Sequence, residues 1–399
     1  MTFLCISCYF KGAPFLRACK AAGNTVYLLT VKKLEHEPWP REAVDEFFYL
    51  ENESNNAGNL ADIAKGFAWM IRSRPIDRVV ALDDFDVEKA AYLREEFRLP
   101  GMGQTTARYF RDKLAMRIRA RDRGVPVPEF ASLFNDVALT EFANRIEYPC
   151  LLKPRGEASA TGIVKVHSAQ ELWDRVHALG DKRKDYLVEQ FKPGDVYHVD
   201  AISVDGEIGF AQVSRYLNTP FEVAHGGGIF RSVSVPYHDE EAVILRRLTE
   251  QVMHAFQMQY SASHTEFIKT REGNFVFLET ASRVGGAHLA EMVEAATGVS
   301  LWEEWARLET AKALDKPYQV PQRRYDQAGI VASLSRYERP DNSSFTDPEI
   351  VWRMDKRHHI GLIVASQSTQ RIMELMDRYA ERIRKEFHAS APVPAKSTN

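Results

Sequence analysis

A lysine delivered by an apolar run into a loop of small residues is the first stretch of this sequence that could do chemistry. It reads Cys150-Leu151-Leu152-Lys153-Pro154-Arg155-Gly156-Glu157-Ala158-Ser159-Ala160-Thr161-Gly162-Ile163. Gly156 and Gly162 bracket residues small enough for backbone amides to approach an anion, and the Lys153 ammonium adds charge, so the composition suits nucleotide phosphates. Such loops are also ordinary hairpin material, and no helix-opening Gly-Lys-Ser/Thr follows, so this is not a Walker A loop. A second candidate is a pair of carboxylates, Glu266 in His264-Thr265-Glu266-Phe267-Ile268 and Glu279 in Phe277-Leu278-Glu279-Thr280-Ala281-Ser282-Arg283. The turn Arg271-Glu272-Gly273-Asn274 between them lets cross-strand pairing set both on one face. Like charges so placed repel; magnesium bridging phosphate oxygens is the usual reason to hold them together, and a salt bridge from one of them to Arg283 or Arg215 is the alternative. The third candidate, Tyr186-Leu187-Val188-Glu189-Gln190-Phe191-Lys192-Pro193-Gly194, is an apolar strand running out into Pro-Gly. It exposes backbone donors and acceptors beside an aromatic ring, as a purine edge requires.

The elements that must position these groups follow from hydrophobic periodicity. Short apolar runs at 3–8, 26–29, 47–50 and 79–82 alternate with helical spacing at 15–23 and 60–71. That order implies a parallel sheet with helices on its faces, so residues 1–104 read as an open α/β domain whose ligand-facing edge lies near Cys8, Thr30 and Asp83. It lacks G-x-G-x-x-G and is not read as dinucleotide-binding. A charged helix over 105–123 stops at Gly124-Val125-Pro126-Val127-Pro128, a domain seam. Strands then dominate in mixed order with helices, which points to α+β over 105–316. Beyond a Pro- and Arg-containing connector, two strand-like runs (328–334, 360–366) and an amphipathic helix over 369–387 form a small C-terminal subdomain and tail, 317–399.

Composition excludes several classes. Hydrophobic residues make up 45 % and charged residues 27 %, ordinary globular values, and 399 residues suit two or three domains. With 52 basic and 55 acidic side chains the formal charge is -3, so there is no global footprint for nucleic acid or an anionic membrane. No window approaches the roughly 20 apolar residues that span a bilayer. Four cysteines are too few for a disulfide scaffold, and Cys5-x-x-Cys8 has no second pair to complete a zinc site. A reducing cytoplasm fits that cysteine usage.

Taken in order, Asp112-Lys113 on a helix, Gly-Val-Pro-Val-Pro at 124–128, Lys153 with its glycine-bracketed loop, Val188-Glu189-Gln190-Phe191, Glu266, and Glu279 with Arg283 resemble the ATP-grasp superfamily. The chain is similar to its biotin carboxylase-like branch and, through Arg283-Val284-Gly285-Gly286 and the C-terminal region, to L-amino acid ligases. The resemblance implies an N-terminal α/β domain, a two-lobed ATP-grasp fold over 105–316 and a small C-terminal subdomain. It implies ATP and magnesium as cofactors, with manganese as the alternative ion. Lys113 and Lys153 would contact ATP phosphates, and the loop from Gly156 through Ser159 and Thr161 to Gly162 would close over them. Glu189, Gln190 and Phe191 would frame the adenine, His198 would meet the ribose, Glu266 and Glu279 would hold the metal, and Arg283 would stabilise an acyl phosphate, beside the transferred group rather than in an ion pair. Two positions depart from the family pattern: Val196 lacks the usual acidic residue at the ribose contact, and Ala281 replaces an asparagine, so one metal ligand is either lost or supplied by Ser282, water or substrate.

Substrate determinants are read from local composition. His225-Gly226-Gly227-Gly228, followed by Arg231, suits a substrate loop or a plain mobile turn. Gly285-Gly286, before the helix that His288 opens, offers amide donors to a substrate carboxylate or serves tight packing. Tyr216, Phe221, Phe230 and Trp302 shape an apolar pocket or the core. The leading expectation is an ATP-dependent carboxylate–amine ligase acting through an acyl phosphate on small-molecule carboxylate and amine substrates, with a homodimer as the candidate assembly. An ATP-dependent carboxylase activating bicarbonate, or a nucleotide-binding regulator without turnover, are the competing readings.

Overall fold

The computed structural model describes residues 1–51, 59–158, 160–219, 221–223 and 227–390. Its first four strands, β1 (Thr2–Ile6), β2 (Thr25–Val31), β3 (Glu46–Leu50) and β4 (Arg78–Ala81), are short apolar runs that pair in parallel in the order β3-β2-β1-β4. Helices Ala13–Ala21, Leu60–Met70 and Val87–Glu96 connect and cover them. The order reverses between β1 and β4, and the loops leaving those two strands meet there, as open α/β sheets arrange a ligand crevice. Lys11 Nζ bonds Asp83 Oδ2 across them at 2.7 Å, and the amide of Cys8 donates to Asp86 Oδ2 at 2.8 Å.

The helix expected over 105–123 is two helices, Gln104–Arg108 and Lys113–Asp122. Asp112 takes extended backbone, and its carboxylate accepts from the amides of Leu114 (3.0 Å) and Ala115 (3.3 Å), a cap that starts the second helix afresh. Lys113 is thereby placed on the first turn of a new helix.

A second sheet follows: β5 (Phe130–Ser132), β6 (Cys150–Pro154), β7 (Val164–Val166) and β8 (Tyr186–Gln190), antiparallel in the order β5-β8-β6-β7. Helices Asp136–Arg145 and Ala169–Leu179 bury Leu139, Phe142, Leu172 and Val176 against it. The third sheet has eight strands, β9 (Gly194–Val204), β10 (Glu207–Tyr216), β11 (Phe230–Ser234), β12 (Ser261–Thr270), β13 (Phe275–Ala281), β14 (Gln327–Leu334), β15 (Ile350–Arg353) and β16 (His359–Ser366), in the order β13-β12-β9-β10-β11-β14-β16-β15. Helix Glu240–Ala255 packs on its first part and Thr369–Glu386 on its last. The boundary expected at 317 is crossed by strand pairing, since β14 pairs with β11 and carries the C-terminal strands into the same sheet. The N-terminal domain is not free either: Phe15 packs edge-on against Trp305 of helix Leu301–Ala313, 5.0 Å between rings, in a shared core. All four cysteines are free and buried. Among the described residues no helix is long and apolar enough to cross a membrane.

Candidate active site

The second sheet, the third sheet and the β4 loop enclose a cleft of about 1080 Å³. Lys153 is the last residue but one of β6, and its ammonium pairs with Glu189 on the adjacent strand β8. The other oxygen of Glu189 receives the Arg117 guanidinium, 3.0 Å from Nε, and both partners are buried to within 1 % of complete exclusion from solvent. Burial pushes the Glu189 carboxyl up, but Arg117 and Lys153 hold it below its ordinary range. Glu189, expected to frame adenine, lines the cleft and also holds Lys153 in place. Gln190 and Phe191 do line the cleft, with Lys165 over the Phe191 ring at 4.0 Å. Val188-Glu189-Gln190-Phe191 was legible as a motif; Arg117, on a different helix, carried no signal of its role.

Lys113 connects two parts of the site. Its ammonium donates to the carbonyl of Glu157 at 2.6 Å and pairs with Glu279 Oε2 at 2.9 Å. Burial raises the Glu279 carboxyl, yet Lys113 and then Lys153 bring it net below the usual value, so it is ionised at neutral pH. Of the loop, Glu157, Ala158, Ala160 and Thr161 line the cleft, Gly156 and Gly162 flank it, and Ser159 lies outside the described residues. Gly162 has φ +70°, and a Cβ there would stand 2.9 Å from Pro154 Cγ, which explains the glycine. None of the described residues of this loop belongs to an apolar cluster, so its amides at 156–162 should exchange quickly with solvent deuterium in the free protein and become protected when Mg-ATP is added. Hydrogen exchange monitored by mass spectrometry reads this, and an unchanged rate would remove the lid role.

The two acidic strands pair as their turn implies, with Glu266 opposite Glu279 in register and a bulge between Glu266 and Phe267. Both carboxylates line the cleft. Behind Glu266 lies a chain of buried polar groups. The Tyr216 hydroxyl donates to Glu266 Oε1 at 2.9 Å, His264 Nε2 is 3.5 Å from the same oxygen, and Asp200 accepts from His264 Nδ1 (2.8 Å) and His198 Nδ1 (2.7 Å). Burial alone would depress the His264 imidazole, but Asp200 and Glu266 carry it up to about 10, so it is an imidazolium at neutral pH. His198, Asp200 and His264 have metal-ligating side chains, but the facing atoms already hydrogen-bond one another. Tyr216→Phe should raise the magnesium concentration for half-maximal turnover about tenfold, because one hydrogen bond orienting a charged ligand is lost. A magnesium titration unchanged from wild type would show that Tyr216 does not orient the site.

His198 does not meet the cleft, which corrects the expected ribose contact. It shares a strand face with Val196, which lines the cleft, but the Tyr216 ring covers it at 4.6 Å and its Nε2 is 2.8 Å from Ser232 Oγ. Arg283 lines the cleft, but it is also ion-paired with Asp84 of the β4 loop, which corrects the expectation of a guanidinium outside any ion pair. A strand-end arginine bears no sequence mark of a partner 199 positions away.

The substrate candidates divide. Gly286 lines the cleft, as do Tyr216, Phe221 and Phe230. Gly285 is a packing glycine: a Cβ would come within 2.6 Å of Asp200 Oδ1. His288 stands at the N-cap of helix Leu289–Thr297 with its ring tilted against Trp352 at 4.6 Å, and Trp302 stacks on Trp305, both away from the cleft wall. Arg231 bonds Asp377 (2.7 Å) and Asn218 (3.2 Å), which ties β11 to the last helix. His225 and Gly226 lie outside the described residues, and Gly227 has φ +63° without lining the cleft.

The model of the ATP-grasp domain family matches residues 146–291. The chain is 26 % identical over 243 residues to the L-arginine-specific L-amino acid ligase of Bacillus subtilis, over 59 % of this chain and 58 % of that protein. The match thus spans less than two thirds of that relative. The fold is shared with the L-amino acid ligase of Bacillus licheniformis at a TM-score of 0.74 and 17 % identity, covering 97 % of this chain and 98 % of that one. It is also shared with the biotin carboxylase domain of the Hydrogenobacter thermophilus 2-oxoglutarate carboxylase, solved with MgADP and bicarbonate, at a TM-score of 0.72 and 17 % identity, covering 98 % and 91 %.

Proposed function

Because the chain belongs to the ATP-grasp superfamily, we propose that it is an ATP-dependent carboxylate–amine ligase. The observation that carries the proposal is one cleft in which Lys113, Lys153 and Arg283 stand with the register-paired Glu266 and Glu279. The glutamates fit a hard divalent cation: both are on one wall, and Glu266 Oε1 is held by Tyr216. Glu266 and Glu279 would hold magnesium or manganese, which when bound would supply charge neutralisation for phosphoryl transfer.

The residues of the chain do the rest by position and charge. Lys113 and Lys153 bind the triphosphate, and closure of loop 156–162 excludes water from it. A substrate carboxylate oxygen attacks the γ-phosphorus, the bond to the bridging oxygen breaks, and ADP leaves with that electron pair. Arg283 balances the negative charge of the acyl phosphate. The amine nitrogen then attacks the acyl carbon, the carbon–oxygen bond to phosphate breaks, and phosphate departs as the nitrogen loses its proton to solvent.

The bicarbonate reading has support in the fold shared with a biotin carboxylase domain, but the cleft wall favours an organic acid. Tyr216, Phe230, Leu278 and Leu289 give it an apolar end that bicarbonate would not use. Phosphate release should be screened with all twenty amino acids, singly and in pairs, and with bicarbonate plus biotin, with products identified by mass spectrometry. ADP formation that needs a carboxylate plus an amine and yields an amide supports the ligase. ADP formation that needs bicarbonate rejects it.

A further inference from the structure

Arg111 is a cation that the reaction above does not use. It precedes Lys113 by two residues, in the break between helices Gln104–Arg108 and Lys113–Asp122. The residue is only 8 % exposed, yet it lines the cleft. Lys113, Lys153 and Arg283 each ion-pair with a carboxylate there, whereas among the described residues no acceptor lies within hydrogen-bond or ion-pair distance of the Arg111 guanidinium, whose charge acts on Asp84 only across a longer gap. Buried charges are ordinarily paired, so a guanidinium turned into a cleft without a partner is built to receive one.

Its surroundings indicate which reactant brings that partner. The guanidinium carbon lies 4.3 Å from the centroid of the Phe85 ring, on the loop that follows β4, and Tyr9, on the loop that follows β1, packs against that ring at 5.1 Å. Nη2 comes within 3.9 Å of where a Cβ on Gly156 would stand, so the first glycine of the lid lies over it. Arg111 therefore sits where the N-terminal domain meets the lid. The apolar wall of Tyr216, Phe230 and Leu289 belongs to the large sheet and the helix behind it, and suits the tail of the acyl donor. The nucleophile is left the N-terminal side. We infer that Arg111 anchors an oxyanion carried by the amine substrate, a carboxylate or a phosphonate, and so selects amines that bear one. The fork of the guanidinium matches either group with two parallel hydrogen bonds. Asp84, which Arg283 already neutralises, would repel that oxyanion less than a free carboxylate would.

The assignment rests on the ligase reading, and two measurements keep the two apart. First, acceptor kcat/KM is compared for amino acids, their α-carboxamides and the matching aminophosphonates, in wild type, Arg111→Leu and Arg111→Lys. Wild type should prefer the anionic acceptors by about 100-fold, Arg111→Leu should lose the preference through acceptor KM with ATP KM within about threefold of wild type, and Arg111→Lys should keep part of it. Equal use of acids and amides by wild type, or an equal loss for both in Arg111→Leu, overturns the assignment. Second, with Mg and a non-hydrolysable ATP analogue filling the nucleotide site, sulfate should raise the melting temperature of wild type at concentrations at least tenfold below those Arg111→Leu requires. Identical sulfate curves overturn the anion site even where ligase activity is established. A shifted curve with no amide product leaves the site standing and the ligase reading rejected.

Discussion

Replacing Glu279 by glutamine should lower ATP turnover on the order of 1000-fold while the far-UV circular dichroism stays that of wild type. The size follows from two losses at one atom. A carboxylate oxygen that would hold the metal becomes an amide, and Lys113, 2.9 Å from Oε2, loses its counter-charge. Removing one charge-stabilising group from such a site costs about 100- to 1000-fold, and the metal's share of charge stabilisation is several kcal/mol more, so the upper end applies. The fold is spared because glutamine is isosteric and the Glu279 side chain lies at the cleft wall, outside the packed apolar clusters. Lys153→Ala, which removes a phosphate counter-charge, should fall as far, but with some loss of stability. Its partner Glu189 would be left buried with Arg117 alone. Glu279→Gln is therefore the cleaner variant. Phosphate release at saturating ATP, with a magnesium titration to 50-fold above the wild-type requirement as the control for weakened binding, is the measurement. Turnover near wild type in Glu279→Gln would remove the paired glutamates from the reaction.

What the sequence could show was local. The lysine-to-glycine loop, the acidic pair and the turn between them lie within stretches of about fifteen residues, where period-2 alternation and turn chemistry determine which side chains share a face. The Glu266–Glu279 register came out as that reasoning implies. Period-2 alternation puts His198 and Val196, two residues apart on β9, on one strand face. It gave no sign that Tyr216, from the next strand, would cover His198 and turn it into part of a buried chain ending on Glu266. Partners far apart in sequence were invisible for the same reason: Arg117 and Glu189 are 72 residues apart, Asp84 and Arg283 are 199. A charged side chain does not announce whether its counter-charge is a neighbour in the fold or a ligand. For Arg111, only burial combined with the lack of a hydrogen-bonded or ion-paired partner separates the two. The helix expected across 105–123 failed at Asp112 because a capping carboxylate outweighed a helical pattern of charged residues that has little intrinsic preference.

Arg283→Lys should lower kcat by about 100- to 1000-fold with the KM for ATP changed by less than about threefold. The pair with Asp84 makes this the sharper test, because it offers a structural alternative of stated form. Burial would push the Asp84 carboxyl up, but Arg283 and then Arg111 hold it below its ordinary value, and burial's pull on Arg283 is likewise outweighed by Asp84, so both are charged at neutral pH. The sign is that of a depressed carboxylate: the pair's stabilisation is complete above the ordinary aspartate value and is lost as pH falls through the lowered one. Were docking of the N-terminal domain the purpose of Arg283, Arg283→Lys would retain most of its function, since an ammonium still meets Asp84, and Asp84→Asn would be the more damaging change, visible as a lower melting temperature. The reaction assigns the opposite order. Lysine keeps one charge but loses the planar fork that spans two oxygens of an acyl phosphate, a deficit felt as charge develops and hardly felt in ATP binding. Asp84→Asn leaves the guanidinium in the cleft and should cost turnover only about tenfold, through its orientation. Melting temperatures and steady-state kinetics of both variants decide between the two. If Arg283→Lys turns over at close to the wild-type rate while Asp84→Asn melts early, Arg283 joins domains, and the acyl phosphate must find its counter-charge in Lys113 and Lys153 alone.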